Sequence, residues 1–461
     1  MLTDPVTLPI WLFALILLFA AVTFASHFLM PSVRWYFRRR MQRVVAKLNA
    51  RLERPIDPFK LAQRHDMINQ LLYHPDVMAA VNEHADAEGI PEQVAFQQAR
   101  RYAREIVPSF SATAYFGFAT RAARVLSRVF YDVRVGHYST ALPNINSDAT
   151  VVFVMNHRSN MDYVIVTHLA ARQSALSYAV GEWARVWPLS SLIRSLGGFF
   201  IRRKSKGLLY RRVLARYVQM ATEGGATQAV FPEGGLSLTG ATAPPKMGIL
   251  NYVVSAWGGK KGRDVVFVPV AINYDRVLED YILIAASKRG ERRFGANISI
   301  GLKFFAQQIW LRLTWRNNRL GAAAVNFGQP LYLSEFGGRK SPKAKLETVE
   351  VANELMHRIN QAMPILPVPL VAHVLTQHGP MDDAQLQQYF AAALERLDEG
   401  YTHIPQNDAK AACAGGVANL LRRKLIEKTA NGYSITAKGA DVVPFYGASL
   451  GHLMAEKLTK T

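Results

Sequence analysis

The stretch that most constrains the fold is a short apolar run that ends in a turn containing a histidine and an aspartate. Residues 151–155 are apolar and mostly β-branched, which predicts a buried strand, and residues 161–171 have the composition of an apolar helix. His157 and Asp162 therefore lie where a strand passes into a helix. In open α/β sheets this is where ligands bind, so we expect chemistry at this turn.

The pair His157 and Asp162 has two interpretations. A carboxylate that binds one imidazole nitrogen leaves the other nitrogen to take a proton from a hydroxyl, and such a general base contributes about 100- to 10,000-fold to a rate. The same residues also fit a helix cap, because Ser159 and Asp162 have the spacing of a capping box and Asp162 can accept from backbone amides. Spacing alone leaves both interpretations open.

From residue 133 onward, short β-branched or aromatic runs alternate with helical segments. The predicted strands are residues 151–155, 176–180, 198–202, 228–231 and 265–272. This alternation predicts an α/β fold with a mainly parallel central sheet flanked by helices.

The chain divides into four predicted regions. They are a transmembrane anchor with a basic interfacial segment at 1–54, a helical region at 55–130, the α/β catalytic domain at 131–340 and a C-terminal region at 341–461. A polar segment with two glycines marks the last boundary. The C-terminal region is expected to be helical and winged-helix-like, because a helix near 409–423 precedes Asn431-Gly432, which predicts a hairpin.

The apolar run at residues 9–30 has about the length that a membrane-spanning helix needs. The basic residues near this run all follow it: Arg34, Arg38, Arg39, Arg40, Arg43 and Lys47. By the positive-inside rule, this asymmetry predicts a single-pass protein of the cell inner membrane with its catalytic domain in the cytoplasm. The alternative is a buried core helix.

The overall charge favours anionic partners. Lys plus Arg number 55 and Asp plus Glu 34, which gives a net charge of +21. Nucleic acid, an anionic lipid surface and phosphorylated substrates all fit this balance, and a basic winged-helix-like tail would suit a membrane-tethered nucleic-acid-binding protein. Cys413 is the single cysteine, which excludes an internal disulfide framework and a cysteine-rich zinc site.

A second block, residues 197–203, is an apolar strand that ends in Arg202 and Arg203. The planar guanidinium group of arginine binds phosphate oxygens through two parallel hydrogen bonds. The alternative is a solvated basic strand end, since lysines follow directly.

A third block, residues 231–237, carries Glu233 at a strand end, followed by Gly234 and then Ser237, with Lys246 further on. Glycine lets the backbone approach a ligand closely. A simple turn is the alternative.

A fourth block, residues 266–279, is another buried strand with polar residues at its exit. Its Pro269 suits an edge strand or a bulge, because proline cannot donate a hydrogen bond to a neighbouring strand. Alone, this block is typical of plain hydrophobic core.

In this order the four blocks resemble the glycerolipid acyltransferase family, and specifically its glycerol-3-phosphate 1-O-acyltransferase branch. The matching segments are residues 157–163, 198–203, 231–235 and 268–275. The resemblance covers about residues 130–335 and continues weakly to residues 444–453, which look like the closing helix of that branch.

The resemblance implies a direct transfer without a covalent acyl-enzyme, a metal or a cofactor. His157, oriented by Asp162, would deprotonate the acceptor hydroxyl, which attacks the thioester of acyl-CoA or an acyl carrier protein as co-substrate. Glycerol 3-phosphate or a related phosphorylated acceptor, and membrane lipids, are the expected partners, and nucleic acid is not. The expected substrate-binding residues are Arg158, Phe200, Ile201, Arg202, Arg203, Glu233, Gly234, Ser237, Lys246 and Pro269.

One departure from the family pattern concerns the third block, where the family carries arginines and this chain has Leu236 and Leu238. Either the remaining basic residues hold glycerol 3-phosphate, or the acceptor is a lysophosphatidate or another lysophospholipid. A catalytically silent, lipid-binding homologue is a further alternative, but the retention of His157 and Asp162 argues against it. A serine hydrolase is disfavoured because no Gly-x-Ser-x-Gly motif surrounds Ser237.

Overall fold

The structure is a computed structural model that describes most of the chain. The described residues are 8–26, 30–52, 54–137, 145–170, 174–181, 185, 187, 189–202, 207–259, 262–290, 320–338, 347–397, 401–404 and 408–458. The chain forms two compact units, Met1–Ile56 and Asp57–Thr461. The predicted catalytic domain and the C-terminal region lie together in the second unit.

The first unit contains the helices α1 (Ile10–Phe24) and α2 (Met30–Asn49). α1 is apolar along its whole length, and none of its side chains is buried. The first basic side chains described on α2 are those of Arg39 and Arg40, which are exposed.

The transmembrane span predicted over residues 9–30 is not supported. α1 has 15 residues, and at a rise of about 1.5 Å per residue it is about 22 Å long, short of a hydrocarbon core about 30 Å thick. Residues 27–29 lie outside the described part of the chain. Among the described residues, no helix is both long enough and apolar enough to cross a membrane.

The second unit begins with the helical region that the sequence predicts. Its helices are α3 (Pro58–Leu61), α4 (Arg64–Leu72), α5 (Pro75–Glu88), α6 (Glu92–Ile106), a π-helical turn (Ala114–Ala119) and α7 (Thr120–Phe130). Proline stands at the start of α3 and α5, where no helical hydrogen bond from its nitrogen is needed. α6 buries a stripe of alanines four residues apart, Ala95, Ala99 and Ala103, so neighbouring elements can pack closely on that face.

An eight-stranded sheet forms the centre of this unit, with helices between the strands. The strands are β1 (Asp132–Gly136), β2 (Thr150–Met155), β3 (Ser177–Gly181), β4 (Phe199–Ile201), β5 (Gln228–Val230), β6 (Val265–Tyr274), β7 (Ala322–Phe327) and β8 (Leu331–Tyr332). The helices are α8 (Met161–Ala170), α9 (Leu189–Ser195), α10 (Leu208–Glu223), α11 (Met247–Ser255), α12 (Asp280–Lys288) and α13 (Leu333–Gly338).

The sheet is mainly parallel, as predicted. Its strand order is β1-β7-β6-β2-β5-β3-β4, and β8 pairs with β6. The pairs from β6 to β4 are parallel, whereas β7 and β8 run antiparallel to β6. β2 and β6 are buried on both faces, which explains their unbroken apolar sequences. The carboxyl ends of β2, β5, β3 and β4 therefore lie along one edge.

Pro269 lies inside the central strand β6 and not at an edge. It lies where the antiparallel pairing shifts by one residue, between Val270 with Phe327 and Phe267 with Leu331, which is the offset of the predicted bulge. The carbonyl of Pro269 accepts from Gly328 N–H at 2.8 Å, on the side where β7 ends and β8 begins. The nitrogen and the carbonyl of a strand residue point to the same side of the strand. The nitrogen of Pro269, which has no hydrogen, therefore faces the gap between β7 and β8. Proline is tolerated there because no ladder bond is lost.

The C-terminal part of the unit packs against the sheet. Its elements are α14 (Thr348–Gln361), α15 (Pro367–His378), α16 (Asp383–Arg396), α17 (Ala409–Arg422), the predicted hairpin β9 (Ile426–Thr429) and β10 (Gly432–Ile435), α18 (Val442–Gly447) and α19 (Gly451–Leu458). Asn273 Nδ2 donates to the carbonyl of Pro364 at 2.9 Å, and Asp275 accepts from Val368 N–H at 3.1 Å. These bonds attach the region to the exit of β6.

Candidate active site

His157 and Asp162 form a buried pair in the turn between β2 and α8. The Nδ1 of His157 lies 2.9 Å from Oδ2 of Asp162, and both side chains are almost fully buried. The same Oδ2 accepts from the backbone N–H groups of Arg158 at 2.8 Å and Ser159 at 3.1 Å. Asp162 therefore binds the histidine and accepts from the backbone of the turn at once, so the two interpretations of the sequence do not exclude each other.

Tyr274 at the end of β6 completes the surroundings of the carboxylate. Its hydroxyl donates to Oδ1 of Asp162 at 2.5 Å. Burial, and then the charge of Asp162, raise the pKa of Tyr274 well above its ordinary value, so the phenol keeps its proton. The other partners of Asp162 all donate to it, so its carboxylate acts only as an acceptor. A neutral His157 must therefore donate to it through the hydrogen on Nδ1, and the lone pair of the imidazole is on Nε2.

Glu279 fixes the other side of the turn. Its carboxylate accepts from the hydroxyl of Ser159 at 2.8 Å, and from Asn160 through the backbone N–H at 3.2 Å and Nδ2 at 3.1 Å. Tyr274 and Glu279 belong to the fourth block, and the polar residues at the exit of its strand were the only signal of them in the sequence.

Two aromatic rings hold the imidazole of His157. Phe231 stacks on it with ring centroids 4.1 Å apart, and Tyr163 meets it edge-on at 5.4 Å. The same two rings line a small, mainly apolar recess, together with Tyr178, Val166 and neighbouring side chains, with room for about one water molecule. The rings that contact the imidazole thus also border a mainly apolar recess.

Glu233 links the third block to the first. One oxygen accepts from the backbone N–H of His157 at 3.0 Å and the other from Ala243 N–H at 2.9 Å. Gly234 has φ +67, and a side chain there would collide with Lys246, whose exposed side chain crosses it. Burial raises the pKa of Glu233 to about 7, although its two backbone hydrogen bonds and Arg158 oppose the rise.

We expect Glu233→Gln to remove a pH dependence of stability. The pKa of Glu233 in the folded state, about 7, exceeds its ordinary value of 4.5. The protonated carboxyl therefore stabilises the fold fully below about pH 4.5, and this stabilisation is lost as the pH rises through 7. Relative to Glu233→Gln, the free energy of unfolding of the wild type should fall by about 2 kcal/mol between pH 5 and pH 8. Urea unfolding of both proteins across this range measures the difference, and parallel pH curves would contradict it.

Ser237 organises the loop that follows Glu233. Its backbone N–H donates to the carbonyl of His157 at 2.8 Å, and its hydroxyl donates to Ala241 and accepts from Gly240. Leu236 and Leu238, in place of the expected arginines, are half-buried against the main hydrophobic cluster. This loop therefore presents apolar side chains where the family presents guanidinium groups.

Arg158 is buried next to the pair of His157 and Asp162. It donates through Nη1 to the carbonyl of Gly240 and lies over the ring of Phe445, 5.5 Å from its centroid. Its Nε and Nη2 have no hydrogen-bond partner among the described residues. Burial lowers the pKa of Arg158, although nearby acidic groups oppose that effect. A buried guanidinium with open donors is suited to bind an anion.

Arg202 directly follows β4, and its side chain pairs with a carboxylate of the protein. Its Nε and Nη2 form a forked ion pair with Glu105 of α6 at 2.9 and 2.7 Å. Phe200 is buried in the core and Ile201 is half-buried at the end of β4. Arg203, which the sequence analysis also assigned to phosphate binding, lies outside the described residues. The assignment of these residues to the acceptor stays a prediction.

A buried polar cluster connects the C-terminal region to the site. Asp280, at the start of α12, forms an ion pair with Arg423 and accepts from the hydroxyl of Tyr446 at 2.7 Å. Tyr446 in turn accepts from Val277 N–H at 2.9 Å, and its neighbour Phe445 covers Arg158. Sequence reasoning did not identify this cluster, because its members lie far apart along the chain.

Two family models match this chain. Residues 138–273 match the model described as Acyltransferase, and residues 310–444 match the model described as Glycerol-3-phosphate acyltransferase C-terminal region. The first match contains His157, Asp162, Glu233 and Pro269, and the second ends within α18.

Proteins with this name are also similar in sequence. A glycerol-3-phosphate acyltransferase of Pseudomonas fluorescens is 30% identical over 378 residues, which are 76% of this chain and 44% of that protein. One of Pseudomonas aeruginosa is 30% identical over 350 residues, which are 71% of this chain and 40% of that protein. The chain thus spans less than half the length of these curated relatives.

Among solved structures, the 1-acyl-sn-glycerophosphate (LPA) acyltransferase PlsC of Thermotoga maritima matches 53% of this chain and 75% of its own, with 21% identity and a TM-score of 0.33. The predicted resemblance is confirmed by the two family models and by the relatives. This chain contains an acyltransferase domain followed by a glycerol-3-phosphate acyltransferase C-terminal region, and it resembles proteins named glycerol-3-phosphate acyltransferase.

Proposed function

We propose that this protein transfers a fatty acyl group from acyl-CoA or an acyl carrier protein to a hydroxyl of glycerol 3-phosphate, with His157 as the general base. The observation that carries the proposal is the bond between His157 Nδ1 and Asp162, which leaves the lone pair on Nε2. The similarity to proteins named glycerol-3-phosphate acyltransferase supports the acceptor.

The reaction follows from this tautomer. Nε2 of His157 takes the proton of the acceptor hydroxyl as the oxygen attacks the carbonyl carbon of the thioester. The tetrahedral intermediate then expels the thiolate, which receives that proton from the imidazolium. Asp162 stabilises the transient positive charge on His157, and the hydroxyl of Tyr274 together with two backbone N–H groups keeps the carboxylate in place.

The acceptor phosphate is expected near Arg158. A phosphate oxygen would satisfy the open Nε and Nη2 of this buried guanidinium. The exposed Lys246 beside Gly234 adds a second positive charge at the end of the same loop. The family carries arginines at the positions of Leu236 and Leu238. In this chain Arg158 and Lys246 would bind the phosphate instead.

The apolar recess beside His157 suits the acyl group. Tyr163 and Phe231 belong both to the recess and to the surroundings of the imidazole. The recess has room for about one water molecule, so a fatty acyl chain would have to move these rings apart to enter. Its thioester carbon would then lie next to Nε2. An apolar lining binds a hydrocarbon chain without an unsatisfied polar group.

An acceptor screen tests the proposal. Purified protein is incubated with radiolabelled acyl-CoA or acyl carrier protein and with glycerol 3-phosphate, dihydroxyacetone phosphate or lysophosphatidate in turn. Transfer to glycerol 3-phosphate supports the proposed acceptor. Absence of transfer from both donors to all three acceptors would refute the proposed activity.

A lysophosphatidate acceptor is the second candidate, favoured by the apolar packing of Leu236 and Leu238. We expect Leu236→Arg to decide between the two. With glycerol 3-phosphate as the acceptor, the added charged hydrogen bond should lower its KM about tenfold. With lysophosphatidate, a charge on the apolar path should lower kcat/KM instead. Unchanged kinetics with both acceptors would show that this position does not face the acceptor.

A further inference from the structure

The ion pair of Arg202 belongs to a larger group of charges at the corner where α6 meets β4. Arg185 binds the same carboxylate, with Nη1 2.8 Å from Oε1 of Glu105. Two guanidinium groups thus share one carboxylate and leave a net positive charge. Glu105 is buried, whereas Arg202 and Arg185 are each about one-third exposed, at 36% and 35% of their side chains. The cations therefore face solvent while the anion that positions them does not.

Aromatic rings and further arginines surround this group. The guanidinium of Arg202 lies over Tyr102 and Tyr210, 5.2 and 5.8 Å from their centroids. Tyr210 also accepts from the backbone N–H of Arg202 at 2.8 Å. The hydrogen bond with Glu105 raises the pKa of Arg202, so its charge is permanent. Arg202 is thus a rigid cation rather than a mobile surface side chain.

Further arginines lie near Arg202 and Arg185, at the corner where α6 meets β4. Arg64 donates to the carbonyls of Val107 and Arg104, which follow and precede Glu105 on the chain. Burial lowers the pKa of Arg64, and the charges of Arg194 and Arg104 lower it further, which places these cations close together. Such a concentration attracts a polyanion.

The strand register places Arg202 relative to His157. Val154 pairs with Val230, Tyr178 with Ala229 and Gly181 with Ile201. Arg202 directly follows β4, and His157 lies in the turn after β2, three strands away along the carboxyl edge. At about 4.8 Å between neighbouring strands, the ends of β2 and β4 are about 14 Å apart.

This separation distinguishes two phosphates in the proposed reaction. In glycerol 3-phosphate, the attacking hydroxyl and the phosphorus are separated by five bonds, or about 6 Å at about 1.2 Å of extended chain per bond. In a phosphopantetheine arm, about thirteen bonds separate the sulfur from the phosphorus, or about 16 Å by the same measure. The spacing of the two strand ends is more than twice the first length and close to the second.

We propose that Arg202 and Arg185, positioned by Glu105, bind the phosphate at the end of the phosphopantetheine arm of the acyl donor. The arm would run along the carboxyl edge of the sheet from His157, past the ends of β5 and β3, and cross to the face of α6 and α10, where Tyr102 and Tyr210 pack against Arg202. Both CoA and an acyl carrier protein contain this phosphate. The assignment rests on the proposed acyl transfer and separates the donor phosphate from the acceptor phosphate near Arg158.

Donor kinetics test the assignment. With acyl-CoA, acyl-acyl carrier protein or an acyl-phosphopantetheine, Arg202→Ala is expected to raise the donor KM about tenfold or more, because a charged hydrogen bond to phosphate is lost. With an acyl-pantetheine, which lacks the phosphate, the donor KM should not change. The KM of the acceptor should also stay the same. The carrier whose KM rises more identifies the source of the arm.

Matched variants control for folding. Arg185→Ala removes the second guanidinium and should raise the same donor KM even if Arg202→Ala is unstable. Arg216→Ala removes another forked ion pair, with Glu223 on α10, and should leave every KM unchanged. If Arg202→Ala instead raises only the KM of the acceptor, or raises none, the assignment is overturned.

A direct titration keeps this test independent of activity. Wild-type protein and Arg202→Ala are titrated calorimetrically with phosphopantetheine and with pantetheine. Binding of the phosphorylated arm that weakens about tenfold in the variant supports the site. If the wild type binds phosphopantetheine and pantetheine equally, the phosphate site is refuted. Absence of acyl transfer in the acceptor screen would instead refute the proposed activity alone.

Discussion

His157→Ala is expected to lower the rate of acyl transfer at least about 100-fold, because the variant has no group that can accept the hydroxyl proton. The turn itself should remain intact. Its bonds to Glu233 and Ser237 run through the backbone N–H and carbonyl of residue 157, which the substitution keeps. Initial rates at saturating donor and acceptor, measured for wild type and variant, give the ratio.

Asp162→Asn provides the matching variant for this prediction. An amide nitrogen in place of Oδ2 cannot accept from His157 or from the backbone of Arg158 and Ser159, so the variant should also be severely impaired. Thermal unfolding of both variants checks that the loss is catalytic. If His157→Ala keeps more than about a tenth of wild-type turnover, the loss is too small for a general base and the role is refuted.

Asp280→Ala is expected to lower the free energy of unfolding by about 3–5 kcal/mol. The substitution removes the buried carboxylate that pairs with Arg423, whose side chain is only 9% exposed, and leaves that guanidinium charge without its partner. It also removes the acceptor of the Tyr446 hydroxyl. Chemical denaturation followed by circular dichroism measures the change in midpoint and slope.

Lys288→Ala is the control, because it shows how much the free energy of unfolding falls when an exposed ion pair is lost. Lys288 pairs with Asp441 on the surface, with side chains 62% and 47% exposed. Exposed pairs contribute at most about 1 kcal/mol, so this variant should unfold close to the wild type. Equal effects of Asp280→Ala and Lys288→Ala would contradict the view that burial makes the Asp280 cluster important.

The sequence by itself determined the elements that depend on neighbouring residues. The unbroken apolar run of β2 predicted a buried parallel strand, and the five-residue spacing of His157 and Asp162 predicted their pairing in the following turn. Both are present, because a strand period and a tight turn are set by residues a few positions apart. The four blocks in order predicted the family for the same reason, since each block is a local pattern.

Only the tertiary structure decided which distant side chains meet. Tyr274 reaches Asp162 across 112 positions, and Arg202 meets Glu105 across 97. The sequence showed that Arg202 ends a strand, but the partner of that guanidinium depends on which helix packs beside β4.

The position of Pro269 and the burial of Arg158 also depend on the assembled fold. Pro269 is compatible with a central strand because β7 ends and β8 begins opposite its nitrogen. Arg158 is buried because Phe445, from the far end of the chain, packs over it. A local pattern records the conformation of its own segment, whereas contacts between segments depend on strand order and packing, and no short stretch of sequence contains that information.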